Sequence, residues 1–464
     1  MPIFFSNTLK NFKEEFKPLK EGNIGLYTCG PTVYNFIHIG NLRTFLWEDV
    51  LKRFLEFEGF KVKHIMNITD VDDKTIRDSQ KEGLTLKEFT IKYTEAFFED
   101  IKSVRIKLAD FYPRATEHIN EMIEIIKKLE DKGHTYTSDG SVYFRISTFK
   151  DYGKLSGIDL SKIKPGARVE MDEYEKEDVR DFVLWKAAKE GEPFWETIYG
   201  KGRPGWHIEC SAMSMKYLGE TFDIHTGAVD NIFPHHENEI AQSECATGKT
   251  FVRYWLHAEH LIVEGEKMSK SKGNFYTLRD LLEKGYSPLP IRYLLISVPY
   301  KKKLNFTFNS LDGAYEAIKR LESIALRLNE ITESSKEGGK DIAKELENFK
   351  TKFLEALRDD LNTAEAIGIL FSFIKNLNIL IEEKELSALN AGLVLNTLRD
   401  FDKIFNIFPK PSKTEEEVLY YIKKREDLRK EKKYNQADEI REKLKSMGII
   451  LEDTPSGTRF KKLF

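Results

Sequence analysis

Two short segments carry residues whose types and spacing suit phosphate chemistry. In Cys29-Gly30-Pro31-Thr32-Val33-Tyr34-Asn35-Phe36-Ile37-His38-Ile39-Gly40-Asn41, His38 and Asn41 stand three apart, so both can face one side as hydrogen-bond donors. Gly40 between them lets a flat base or a ribose approach the backbone closely. The segment falls where a strand pattern gives way to a helix pattern, and a helix start offers unbonded N–H groups and partial positive charge to an anion. The second segment is Glu264-Gly265-Glu266-Lys267-Met268-Ser269-Lys270-Ser271-Lys272-Gly273-Asn274, in which glycines flank three lysines and two serines. Such a loop can close over a triphosphate and set ammonium groups against the charge that develops on departing pyrophosphate. Taken singly, the first string is also what a helix cap looks like and the second what a surface turn looks like. Their occurrence in order in one chain favours a nucleotide.

A third group of residues suits a metal. Gly205-Trp206-His207-Ile208-Glu209-Cys210-Ser211 and Phe233-Pro234-His235-His236-Glu237-Asn238-Glu239-Ile240 both hold soft or borderline ligands. His235 and Glu239 are one helical turn apart and can reach one ion. With Cys29 and Cys210 they would make a Zn²⁺ site of two thiolates, one imidazole and one carboxylate. His236, three residues from Glu239, competes with His235 for that place. Cys245 lies six residues beyond Glu239, about 240° around a helix at roughly 100° per residue, and should miss the ion.

These residues need a frame. Segments 24–29 and 61–68 read as strands, and between them Leu42, Phe45, Leu46, Val50, Leu51, Phe54 and Leu55 recur at helical spacing. That is the start of a parallel α/β sheet. Further strands are expected at 142–146, 222–225 and 261–263, with a helix at 119–132. The stretch from 113 to about 202 reads as an insertion, irregular around Lys164-Pro165-Gly166. From residue 310 the pattern turns helical: Ala314, Ala317, Ile318, Leu321, Ile324, Ala325 and Leu328 hold one face, 333–340 reads as a loop, and 349–381 continues mostly in helical period. Pro409 and Pro411 mark a linker, after which two charged helices and a short β-like tail are expected. The predicted architecture is an α/β Rossmann-type catalytic domain (1–309) with an insertion, an all-α bundle (310–409) and a small mixed C-terminal domain (410–464).

Composition narrows the classes. A chain of 464 residues exceeds one hydrophobic core. With 41% hydrophobic and 32% charged residues it reads as globular rather than disordered. Lys10, Lys13, Glu14 and Glu15 break any leader-like apolar run, and the longest uncharged apolar stretch, 366–374, is short of the roughly 20 residues a bilayer needs. Three cysteines do not make a disulfide framework, so a cytoplasmic protein is expected. The formal charge of −3 divides unevenly, +4 from residue 410 onward and −7 before it. A basic terminal module suits nucleic acid, and equally describes a solvated helix pair.

The two phosphate segments resemble the signatures His-Ile-Gly-His and Lys-Met-Ser-Lys-Ser of the class I aminoacyl-tRNA synthetases, with Asn41 in place of the last histidine. Asparagine can still donate to a phosphate or ribose oxygen but cannot titrate. With the metal group added, the chain resembles the cysteinyl-tRNA synthetases from end to end. The likeness includes Asn67-Ile68-Thr69-Asp70-Val71-Asp72-Asp73-Lys74, Asp181-Phe182-Val183-Leu184-Trp185-Lys186 and Met447-Gly448-Ile449-Ile450-Leu451-Glu452-Asp453. The resemblance implies ATP-dependent activation of L-cysteine and its transfer to tRNA(Cys), with Mg²⁺ accompanying ATP and one Zn²⁺ per chain held by Cys29, Cys210, His235 and Glu239. It implies that His38, Asn41, Lys267 and Lys270 are catalytic and that Gly40, Met268, Ser269 and Ser271 join them around ATP. Cys29, Thr69, Trp206, Asp230 and His235 would meet the amino acid, and Arg429, Tyr434, Asp438 and Asp453 the anticodon. A monomer without a membrane partner is the expectation.

A metal would serve selection here. Serine differs from cysteine by one atom, and a shaped apolar pocket separates such near-isosteres by only ~10². The related cysteine ligases of mycothiol type lack an anticodon-binding end, so segment 410–464 argues against that reading. Lys267, Lys270 and the full ligand set argue against a non-catalytic tRNA-binding relative.

Overall fold

The computed structural model describes residues 1–158, 181–333, 339–409, 413–446, 449–454 and 457–462. The stretch around Lys164 and most of the 333–340 segment lie outside these. The chain forms two compact units, Met1–Ile407 and Phe408–Phe464.

The first unit is built on a four-stranded, wholly parallel sheet. Its strands are β1 (Asn23–Thr28), β2 (Lys61–Met66), β3 (Phe222–Ala228) and β4 (Val252–Ala258), in the order β4-β3-β1-β2. Buried on both faces, such strands read as apolar runs, and Ile24, Leu26, Tyr27, Ile65, Phe222, Ile224, Val252 and Leu256 are all in the core. Helix α1 (Ile39–Phe57) crosses from β1 to β2 and buries the Leu42, Phe45, Leu46, Val50, Leu51, Phe54 and Leu55 stripe. The β1–α1–β2 unit therefore follows the hydrophobic period. Strand β4 and the hairpin Phe4–Asn7 with Phe12–Glu15 were not expected from the pattern.

The insertion is a five-stranded antiparallel sheet with the helix Ile119–Asp131 beside it. Its strand Gly200–Pro204 runs past the expected boundary at 202, because Arg203 and Pro204 still pair with Lys186 and Trp185. From this sheet the chain enters α2 (Trp206–Leu218), and after β3 it enters α3 (Glu237–Thr247) through a wide turn at Ile232–His236.

Four helices follow: Phe308–Thr332, Ala343–Arg358, Thr363–Glu382 and Ala388–Phe405. The continuous period expected over 349–381 is broken at residues 359–362. Asp360 and Leu361 take positive φ (62° and 51°), and the Asp360 carboxylate accepts from Ser6 and Tyr300. Apolar spacing carries on across the break, so the pattern alone hides it. Thr363–Glu382, which contains the 366–374 run, is 20 residues long and by length and composition could cross a membrane. Ala366, Ile367, Leu370, Phe373, Ile374 and Leu377 are instead buried, with Phe373 stacked on Phe349 at 4.5 Å.

The second unit has helices Lys413–Lys430 and Tyr434–Ser446 and an antiparallel hairpin of Ile449–Thr454 with Gly457–Lys462. Val418, Ile422, Ile440, Leu444, Ile449 and Leu451 form its core.

Candidate active site

Ligands of open α/β sheets bind beyond the carboxyl ends of the strands, and the residues singled out above gather there. Cys29 follows β1, Thr69 follows β2, and Asp230 follows β3. The first two loops are zipped together: Gly30 N donates to Asn67 Oδ1 (2.9 Å), Thr69 N to the Pro31 carbonyl (3.1 Å) and Val33 N to the Thr69 carbonyl (3.1 Å). Glycine is required at position 30, because a Cβ there would sit 1.7 Å from the Asn67 carbonyl oxygen. Thr69 Oγ1 in turn donates to the buried Glu209 carboxyl at 2.9 Å, tying this loop to α2.

At the floor, Cys29, Cys210, His235 and Glu239 bring one ligand atom each to within 4.8 Å of one another. Four of the predicted ligands thus converge from three segments. Cys29, His225, His236 and Glu239 form a second, overlapping group by the same measure. His235 Nε2 lies 3.0 Å from Glu239 Oε1, and His225 Nε2 lies 3.0 Å from Glu239 Oε2. His236 places Nε2 3.2 Å from Cys29 Sγ and Nδ1 2.7 Å from His257 Nε2, and His257 Nδ1 meets Thr8 Oγ1 at 2.8 Å. Cys245 belongs to the apolar core and to neither group.

The electrostatics follow from burial and contact. Hydrogen bonding with Cys29 draws the Cys210 thiol down to about 6, against burial and the Glu239 carboxylate, with His235 assisting. Burial, then the bond to Cys210, pushes the Cys29 thiol well up. Burial would raise Glu239, but His225 and His235 hold it down to about 2. Burial drives His236 well below its ordinary range, and the neighbouring imidazoles add to this, so its ring is neutral.

Glu239 is fully buried, and its Oε1 has no hydrogen-bond partner of good geometry although Oε2 is satisfied by His225. A buried carboxylate oxygen left open beside two thiols and an imidazole is what a coordinated cation would satisfy. The residues fit zinc.

Trp206 packs against His235 with ring centroids 4.2 Å apart and the planes tilted by 30°, and it remains 36% exposed. Asp230 is exposed, with Oδ1 3.1 Å from His260 Nε2.

The two phosphate segments adjoin. His38 caps α1, but its Nδ1 accepts the Asn41 backbone N–H (3.1 Å), so this nitrogen is no donor and the neutral ring carries its proton on Nε2. Ile39 N donates to the Tyr276 carbonyl at 2.9 Å, and His38 bridges Thr277. A Cβ at Gly40 would lie 2.9 Å from His38 Nδ1 and 3.5 Å from the Met268 methyl, which shows how close the second segment comes. That segment leaves strand Leu261–Val263 through a two-residue hairpin turn at Glu264 (φ 49°) and Gly265 (φ 80°), then returns as Glu266–Lys267. Asn274 fastens the loop: its Oδ1 accepts from Ser269 N at 2.8 Å and its Nδ2 donates to the Lys267 carbonyl at 3.3 Å. Ser269 and Ser271 hydroxyls meet at 2.8 Å, and Lys267 is exposed. Lys270 opens a short 3-10 turn, and its side chain lies outside the described ones.

Of the tail residues, Arg429, Tyr434 and Asp438 are exposed around the single helix–helix turn of the second unit, Tyr434 and Asp438 one helical turn apart. Asp453 pairs through its backbone with Thr458, and its side chain lies outside the described ones.

Reading the sequence missed His225 and His257. Each is a polar residue within an apolar run that becomes a buried strand, and that is the signal that could have found them.

Comparison with known proteins agrees with this geometry. Residues 15–316 match the family described as tRNA synthetases class I (C) catalytic domain, and residues 352–408 match the DALR domain. The chain is 52% identical to the cysteine-tRNA ligase of Brachyspira hyodysenteriae over 472 residues, covering 99% of each chain. It is also 52% identical to that of Solibacter usitatus over 467 residues, covering 100% of each. The chain belongs to the cysteine-tRNA ligase family.

Among solved structures, methionyl-tRNA synthetase of Mycobacterium tuberculosis with methionyl-adenylate superposes at a TM-score of 0.62 with 15% identity, over 83% of this chain and 90% of that one. LeuRS of Agrobacterium radiobacter in a ternary complex with tRNA superposes at 0.60 with 10% identity, over 84% and 85%. These two show the fold: a class I catalytic domain followed by a helical domain, as the family requires.

Proposed function

We infer that this chain activates L-cysteine with ATP, releasing pyrophosphate, and transfers the cysteinyl group to the 3′ end of tRNA(Cys). Family membership supports the reaction. The observation that carries the choice of amino acid is the Cys29–Cys210–His235–Glu239 group, buried except at the half-buried Cys29, with Trp206 packed against His235. Of the two overlapping groups we assign zinc to this one. Two sulfurs suit zinc better than the single one of the other group, and His225 is already engaged in orienting Glu239 through Oε2. When bound, zinc would supply an open position that takes a thiolate strongly and a serine hydroxyl poorly.

The remaining work falls to the chain. Thr69, held by Glu209 and Asn67, and Asp230 offer an acceptor and a carboxylate to the substrate ammonium, with Trp206 covering the side chain. The cysteine carboxylate attacks the α-phosphate in line, the bond to the β-phosphate oxygen breaks, and pyrophosphate leaves with its magnesium. His38, Gly40, Asn41 and the N–H groups at the start of α1 hold the nucleotide. Lys270, aided by Lys267, meets the charge on the leaving group, while Met268, Ser269 and Ser271 shape the loop. We further propose that segments 1–309, 310–409 and 410–464 serve as catalytic, helical and anticodon-binding parts, and that the protein acts in the cytoplasm, as its thiol-rich floor favours.

The test is metal content with cysteine-dependent pyrophosphate exchange. Cys210→Ser should lose the metal and the exchange, whereas Cys245→Ser, altered in the core away from the floor, should keep both. Equal retention in the two variants would sink the assignment. Asn41→Ala should slow adenylation roughly fivefold, the equivalent of about 1 kcal/mol for one neutral hydrogen bond, with zinc retained. A silent Asn41→Ala would mark a position the enzyme does not use.

A further inference from the structure

Arg43 lies on α1 two residues past Asn41, with its side chain 2% exposed. Nη1 donates to the carbonyl oxygens of Glu259 (2.5 Å) and His260 (2.9 Å), and Nη2 to those of Pro299 (3.3 Å) and Lys302. All four bonds end on main-chain carbonyls. Burial lowers the guanidinium to about 10, with the Glu259 carboxylate opposing, so it stays charged at neutral pH. A buried charge is costly unless fully hydrogen-bonded, and the planar fork of arginine can meet several fixed acceptors at once.

What those carbonyls belong to gives the grip its meaning. Glu259 and His260 link β4 to Leu261–Val263, the strand from which the 264–274 loop hangs. Residues 299–302 lead into Leu304–Phe306, the parallel partner of that strand. The helix that His38 caps and that carries Asn41 therefore holds, through one side chain, the segments leading into the strand before the loop and into that strand's parallel partner. His260 does one thing more: its ring reaches across to Asp230 at the end of β3, Nε2 to Oδ1 3.1 Å.

We propose that Arg43 is a positioning residue for adenylation, setting the stem of the lysine loop against α1 and aiming His260 at Asp230, so that the ATP half and the cysteine half of the site are held in one register. His260 is the arm of this device on the amino-acid side, and it acts through Asp230. The inference rests on the reading above that Asp230 meets the cysteine ammonium.

A fold staple and a positioning residue predict different kinetics. Loss of a staple lowers the active fraction, and thus apparent kcat, at unchanged KM. Loss of positioning raises KM. Arg43→Lys keeps the charge and most of the volume, but one nitrogen cannot reach four carbonyls. Measured by pyrophosphate exchange, with zinc content and Tm followed alongside, Arg43→Lys should raise KM for ATP and for cysteine together, by roughly three- to tenfold each. His260→Ala keeps the carbonyl that Arg43 grips and should raise KM for cysteine by a similar factor while leaving KM for ATP unchanged. His260→Gln, which can still donate to Asp230, should restore it. Lower kcat with both KM values unchanged in Arg43→Lys, or a shift for ATP alone, overturns the proposal. An Asp230→Asn control separates the two levels. If it raises KM for cysteine and His260→Ala does not, the coupling is wrong and the site reading stands. If Asp230→Asn leaves KM unchanged, the assignment of Asp230 itself is wrong, and the His260 arm falls with it.

Discussion

Lys270→Ala should reduce the rate of cysteinyl-adenylate formation by ~10²–10³, the usual cost of removing one preorganised group that meets developing charge. The loss should fall on the chemical step. On the proposed reading cysteine is received by the Cys29–Cys210–His235–Glu239 group and Trp206 rather than by this loop, so its affinity should change little. Single-turnover adenylation measured against cysteine concentration separates the two. The loop is built for such a role: its stem is a tight two-residue hairpin, Asn274 fastens its first turn, and Met268 lies against Gly40 beside the capped start of α1. A Lys270→Ala enzyme with normal pyrophosphate exchange would remove Lys270 from the mechanism.

Deleting residues 410–464 should leave cysteine-dependent pyrophosphate exchange largely intact and cripple transfer to tRNA. The groups proposed for adenylation, from His38 to Lys270, all lie within the unit that ends at Ile407. The second unit has its own core and carries the excess positive charge of the chain. At its helix–helix turn it exposes Arg429, Tyr434 and Asp438. An exposed tyrosine 56% open to solvent offers a stacking face to an unstacked base. A carboxylate such as Asp438 would be repelled by phosphate, so beside RNA it is better suited to accept from a base amino group. Affinity for RNA contributed by the basic unit should weaken with added salt. If the truncated protein charges tRNA as well as the full chain does, the tail is not the anticodon module.

Much of the frame was legible in the sequence because it depends on local periodicity. The β1–α1–β2 unit announces itself through an apolar strand, a helical stripe from Leu42 to Leu55 and a second strand, and each appears within three residues of its expected limits. The tail hairpin and its two helices are likewise set by local pattern. The break at residues 359–362 escaped because apolar spacing continues across it, and what ends the helix is a distant contact, Asp360 with Ser6 and Tyr300. Strand β4 escaped for a related reason. Its apolar run is interrupted by Arg253 and His257, and its identity as a strand comes from pairing with β3.

The chemistry divides in the same way. Residue types and short spacings by themselves marked His38–Asn41 and the 264–274 loop as candidate phosphate-binding segments and put His235 and Glu239 one helical turn apart, because these relations span a few residues. Only the tertiary structure decided that Cys29 and Cys210 meet His235 and Glu239, that His225 and His257 stand behind them, and that Arg43 grips the segment leading to a loop more than 200 positions away. In a parallel sheet, neighbouring strands are joined by long crossovers, so the loops that converge at its carboxyl edge are far apart in the chain and leave no local trace of their meeting.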